Sequence, residues 1–104
     1  MGRRPELDLH QRQRLFLRAV ANHPWARTPF LAGVSGLRPF ELRAAARLAV
    51  AGQLVERTVV PGLAGASARY GLTPAGASPI GATWSRARLG QALLRALSLD
   101  AART

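Results

Sequence analysis

Arginine is the residue type with the most chemistry to offer in this chain. The 104 residues hold 15 basic side chains, every one of them Arg, against 5 carboxylates, for a formal charge of +10. A guanidinium keeps its charge at any physiological pH, and its planar fork of donors matches phosphate oxygens and the guanine edge two bonds at a time. Arg43 and Arg47 are four residues apart, the spacing that puts two side chains on one helical face. Arg38 stands just before them, while Arg57 and Arg69 fall in segments of strand-forming composition. Nucleic acid is the partner these forks suit best. The absence of Lys beside abundant Ala, Arg and Gly also matches GC-rich coding, and membrane surfaces or acidic proteins would share the charge preference.

The other reactive side chains exclude much. Without cysteine there is neither a disulfide framework nor a thiolate metal site. His10 and His23 are thirteen residues apart with no third ligand type nearby, and zinc wants three or four, so no metal is expected. The few carboxylates cannot be assembled with Ser and His into a triad, and there is no phosphate loop, so neither catalysis nor a cofactor is expected. Gly62, Gly65 and Gly71 read as turn glycines. Glu41 could accept from a cytosine amino group, but stabilising a helix start through the dipole is the preferred reading. Tyr70 and Trp84 read as packing residues, and Trp25, after Pro24, as a cap on the core.

The length allows one domain with one modest core, and 48% hydrophobic residues suit a folded chain. No run approaches the roughly 18 apolar residues of a membrane helix. Met1-Gly2-Arg3-Arg4-Pro5 opens no secretory h-region, so no membrane and a cytoplasmic location are expected.

Residues 1–6 read as a basic arm. Asp8 and Gln11 have capping-box spacing, opening a helix that Leu9, Leu15, Phe16, Ala19 and Val20 make amphipathic and that Pro24 stops near Asn22. A second helix is predicted from Thr28, as N-cap, to Val34, with Pro29 at the first helical position and Ser35-Gly36 as the break. The third runs from Arg38 or Pro39 to Ala51, with Leu42, Ala45, Ala46, Leu48 and Ala49 inward. Glu41, Arg43, Ala44 and Arg47 face outward, and Gly52 is the expected left-handed cap. Residues 54–60 and 69–72 form a hairpin around a flexible 61–67 tip, and Thr73-Pro74 starts a helical turn. Residues 76–81 read as a linker to a last helix from Trp84 to Leu99.

The order helix, helix, turn, helix, strand, loop, strand is that of a winged helix-turn-helix: mainly α with a small β-hairpin, here with an additional C-terminal helix. Particular residues strengthen this. Leu31-Ala32-Gly33-Val34-Ser35-Gly36-Leu37 resembles the link between the two helices of bacterial regulators. Ala51-Gly52-Gln53-Leu54-Val55-Glu56-Arg57 resembles the exit from a recognition helix, and Tyr70-Gly71-Leu72-Thr73-Pro74-Ala75-Gly76 the end of a second wing strand. Together they resemble winged-helix transcription regulators of the MarR, PadR and ArsR kinds, without choosing among them.

That resemblance implies sequence-specific binding of double-stranded DNA as a small regulator. The third helix would enter the major groove and the wing would touch backbone or minor groove. The expected DNA-binding residues are Arg38, Arg43, Ala44, Arg47, Arg57 and Arg69. Residues 7–76 would form the DNA-binding domain and 77–104 the linker and a dimerisation helix. Trp84, Leu89, Leu93, Ala96 and Leu97 form its apolar stripe toward a second copy, and folding back onto the first helix is the competing arrangement. The alternative functions are a winged helix used only for protein contact, as in the dimerising domain of small-molecule O-methyltransferases, or a plasmid or phage DNA-binding accessory protein.

Overall fold

Local signals build the first three helices much as the spacing dictates. In the computed structural model, which describes residues 8–60 and 67–103, helix α1 spans Leu9–Asn22. Its capping box is complete: the Asp8 carboxylate accepts from the Gln11 N–H at 2.7 Å, and the Gln11 side chain accepts from the Asp8 N–H at 3.0 Å. Helix α2 spans Thr28–Ser35 and ends on Gly36 at φ 76°, left-handed geometry that glycine adopts without strain. Its N-cap is Arg27 rather than Thr28. The Thr28 hydroxyl is instead used across the fold, donating to the Ala68 carbonyl at 3.3 Å.

Helix α3 spans Pro39–Ala51. Its inner face is Leu42, Ala45, Ala46 and Ala49, all buried, and the small alanines let it lie close to α1. Three expectations for this helix are corrected. Leu48 is 50% exposed, and Glu41, expected outward, is 4% exposed. The left-handed residue after α3 is Gln53, at φ 58°, not Gly52, at φ −84°. One more residue of turn is needed before the Leu54 N–H can reach back to the Ala49 carbonyl, at 2.8 Å.

Strands β1 (Val55–Val60) and β2 (Ser67–Leu72) pair antiparallel, with Val55 opposite Leu72 and Arg57 opposite Tyr70. Val55 and Leu72 are buried with Phe16, Leu17 and Val20 of α1, Leu31 of α2 and the alanines of α3. The hairpin is thus rooted in the core. Of the expected flexible tip, 61–67, Ser67 instead opens β2 opposite Val60, and residues 61–66 lie outside the described residues, as does the 1–6 arm.

The segment 76–81 is not a linker. Helix α4 (Pro74–Ala77) and a 3-10 turn (Ser78–Ile80) follow β2 directly. Thr73 caps α4, accepting from the Gly76 N–H at 3.1 Å while donating to the Gln53 carbonyl at 2.7 Å. Gly76 packs so closely that a Cβ there would stand 2.0 Å from the Leu54 carbonyl oxygen. The Leu-Thr-Pro-x-Gly run is therefore a clasp joining the end of β2 to the start of β1.

Helix α5 spans Arg86–Arg103, two residues later in onset than predicted. Trp84 precedes it, and its indole N–H donates to the Leu72 carbonyl at 2.8 Å. Leu89, Ala92, Leu93 and Ala96, on one side of α5, are half-buried, whereas Leu94 is 66% and Leu97 40% exposed. Trp84 is thus a contact within the chain, and most of the expected outer stripe is the face least open to solvent. A cavity of about 410 Å³ lies beneath α5, with Trp25, Phe30, Arg69, Ala92, Arg95 and Ala96 in its wall.

Candidate nucleic-acid interface

Strand alternation decides which arginines share a surface. Successive side chains on a strand point to opposite faces, and cross-strand partners share one. Arg57 and its partner Tyr70 therefore lie on one face of the hairpin and Arg69 on the other. The Tyr70 ring meets Phe16 edge-on, with centroids 5.6 Å apart, which fixes that face against α1. Between it and α3 lies a groove of about 470 Å³, lined by Arg43, Arg47 and Arg57 with Ala46, Val50, Ala51 and Tyr70. Arg43, Arg47 and Arg57 are exposed, and none of these lining residues is a carboxylate. Two consecutive elements, α3 and β1, thus present three cations to one concave surface.

Arg38 is exposed at the N-cap of α3, and Ala44 is half-buried on its outer side. The carboxylate of α3 is turned inward, away from this face. Glu41 accepts from the Arg38 N–H at 2.9 Å and meets Arg12 Nε of α1 at 3.3 Å. It caps α3 and ties it to α1, so it is not available to a base edge. The helix-start reading of Glu41 is the one the geometry supports.

Arg69 is the site candidate that the structure removes from the outer surface. It is 4% exposed, and its Nη1 donates to the Trp25 carbonyl at 3.0 Å. The face of β2 it occupies is covered by the α1–α2 connection, which the sequence alone does not reveal. Trp25 organises that cover. Its N–H donates to the Tyr70 carbonyl at 2.9 Å, its indole N–H to the Leu89 carbonyl at 2.9 Å, and its ring lies over Gly71. These contacts hold Trp25 at φ 63°, a left-handed conformation that disfavours a side-chain-bearing residue by about 1–2 kcal/mol.

Two further apolar residues of α3 complete the surface. Phe40 is 55% exposed and Val50 37%. With Ala44 and Leu48 they make the outside of α3 apolar between its arginines. The signal for Leu48 was ambiguous, because i, i+3, i+4 counting admits it to the inner face; the exposure of Phe40 at the second helical position was readable from its distance from that face.

Three helices, a helix-turn-helix pair among them, and a two-stranded wing make this a winged-helix fold. No protein-family model and no curated protein matches the sequence. Among solved structures, the crystal structure of a MarR family transcription regulator is similar, with a TM-score of 0.60 and 25% identity over 85% of this chain. The match covers 54% of the regulator, so this chain spans about half that protein's length. Among the described residues, no helix is long and apolar enough to cross a membrane.

Proposed function

We propose that this chain binds double-stranded DNA as a small transcription regulator. Helix α3 enters the major groove, which at about 12 Å wide admits a helix, while the β1–β2 wing reaches the flanking backbone. The observation that carries the reading is the meeting of Arg43, Arg47 and Arg57 along one groove free of carboxylates. The likeness to a MarR family transcription regulator supports it. Arg43 and Arg47 serve phosphate or guanine, Arg38 phosphate, Arg57 the backbone beside the wing, and Ala44 a thymine methyl. Arg69 contributes only by holding the wing against Trp25.

Regulators with this geometry read paired half-sites one DNA turn apart, about 34 Å, and a second copy would supply the second α3. We place its contact on the outer side of α5, where Leu94 and Leu97 are exposed. No catalytic step, metal or cofactor enters this reading.

The test is duplex binding against salt. With Arg38, Arg43, Arg47 and Arg57 each neutralising one phosphate, log K falls with log salt at a slope of about −3.6 per subunit. A flat response between low and physiological salt overturns the proposal.

A further inference from the structure

Among the described residues, no contact gives a task to the row Phe40–Ala44–Leu48, in which Phe40 and Leu48 are exposed and Ala44 half-buried. The three residues are four apart, so they line up along one side of α3, with Phe40 55% and Leu48 50% exposed. The inner face of α3 is already filled by Leu42, Ala45, Ala46 and Ala49. Resting on the duplex-binding reading above, we infer that this row reads thymine through its C5-methyl group. The outer face of α3 then selects a T-containing half-site with arginine contacts beside it.

The chemistry of the groove decides this. Along the major groove each base edge is polar except for the thymine methyl. Pressed against a cytosine or adenine amino group, an apolar row strips water from a donor and returns no hydrogen bond, which is unfavourable. Pressed against a methyl, it covers carbon with carbon. From residue 40 to residue 48 the helix rises about 12 Å, equal to about three and a half base-pair steps of 3.4 Å.

A second copy of this chain fits the row less well, because it would bring its own Arg43 and Arg47 against those already there. A nucleic acid offers the complementary charge at the same distance from the helix. The groove lining has three arginines and no carboxylate.

The experiment begins with duplexes selected from random DNA, followed by replacement of thymines under α3 with uracil, which pairs alike but lacks the methyl. Each methyl lost should weaken binding about fourfold, or roughly 0.8 kcal/mol. In the Phe40→Ala, Leu48→Ala variant the uracil penalty should shrink toward none, while the salt slope stays unchanged. Both positions are exposed and Ala favours helix, so α3 is retained, as circular dichroism would verify.

Equal affinity for thymine and uracil sites, with duplex binding intact, overturns the methyl reading and leaves the duplex reading standing. Absence of salt-sensitive binding to any duplex overturns both. A wild-type dimer that the double variant turns into a monomer assigns the row to a second copy and overturns the inference.

Discussion

Adding one methyl group at Gly71 tests the arrangement on which the wing depends. A Cβ there would stand 2.4 Å from Cζ2, 2.6 Å from Cη2 and 2.9 Å from Cε2 of Trp25. The indole cannot swing aside freely. It is 3% exposed, and its N–H is bonded to the Leu89 carbonyl, while its backbone is bonded to Tyr70 and Arg69. Overpacking a filled site costs about 1–3 kcal/mol, and breaking the indole bond adds about 1 kcal/mol. Gly71→Ala should therefore destabilise the fold by about 2–4 kcal/mol and lower Tm by roughly 10–30 °C. Thermal melts followed by circular dichroism measure this, with Gly90→Ala as the control. Gly90 lies in α5 with nothing within 4 Å of its would-be Cβ, so that change should stabilise by up to about 1 kcal/mol. If Gly71→Ala melts within about 2 °C of wild type, Trp25 does not pin the wing as described.

Three further outcomes follow from the same geometry. Glu41→Ala removes both the α3 cap and the partner of Arg12, and should cost about 3 kcal/mol in urea denaturation; Glu41→Leu with Arg12→Met should recover most of that, because breaking such a pair is worse than replacing it. Arg57→Ala should leave the urea midpoint unchanged and weaken duplex binding by about 1 kcal/mol, whereas Arg69→Ala, buried against Trp25, should lower stability by about 2 kcal/mol through the unpaired carbonyl and the lost packing. Replacing exposed Leu94 and Leu97 by Glu should turn a dimer into a folded monomer in sedimentation, and a wild type already monomeric at tens of micromolar refutes that contact.

Much of the fold was legible because its signals are local. Asp8 and Gln11 announce their capping box within one turn, and Gly36 ends α2 because a left-handed residue is needed there. The arginine face of α3 and the existence of the hairpin follow from helical and strand periods, whereas its register, Arg57 opposite Tyr70, does not. What escaped the sequence depends on contacts across the chain. Arg69 and Arg57 look alike as wing arginines, and only the arrival of Trp25, 44 residues away from Arg69 along the chain, makes one a buried donor and the other a surface cation. Glu41 is drawn inward by Arg12 of a different helix. Gly76, Ser78 and Pro79 have linker composition, yet Gly76 is small because the Leu54 backbone passes beside it. The inner stripe of α5 was recognised, but periodicity cannot say whether its cover is this chain or another.

The two tryptophans, Trp25 and Trp84, are the only ones in the chain, and both stand at the joint between α5 and the winged helix. One donates to Leu89 of α5 and the other to Leu72 of β2. Fluorescence excited selectively in tryptophan, beyond the absorption of Tyr70, therefore monitors this joint. Loosening of α5 would release the Trp25 indole into water and shift its emission to the red, with the core of α1 and α3 still folded and spectroscopically silent. Engagement of α3 by a partner would leave the emission untouched unless it moved β2. A single unlabelled sample can thus separate events at the far side of the wing from events on the arginine groove.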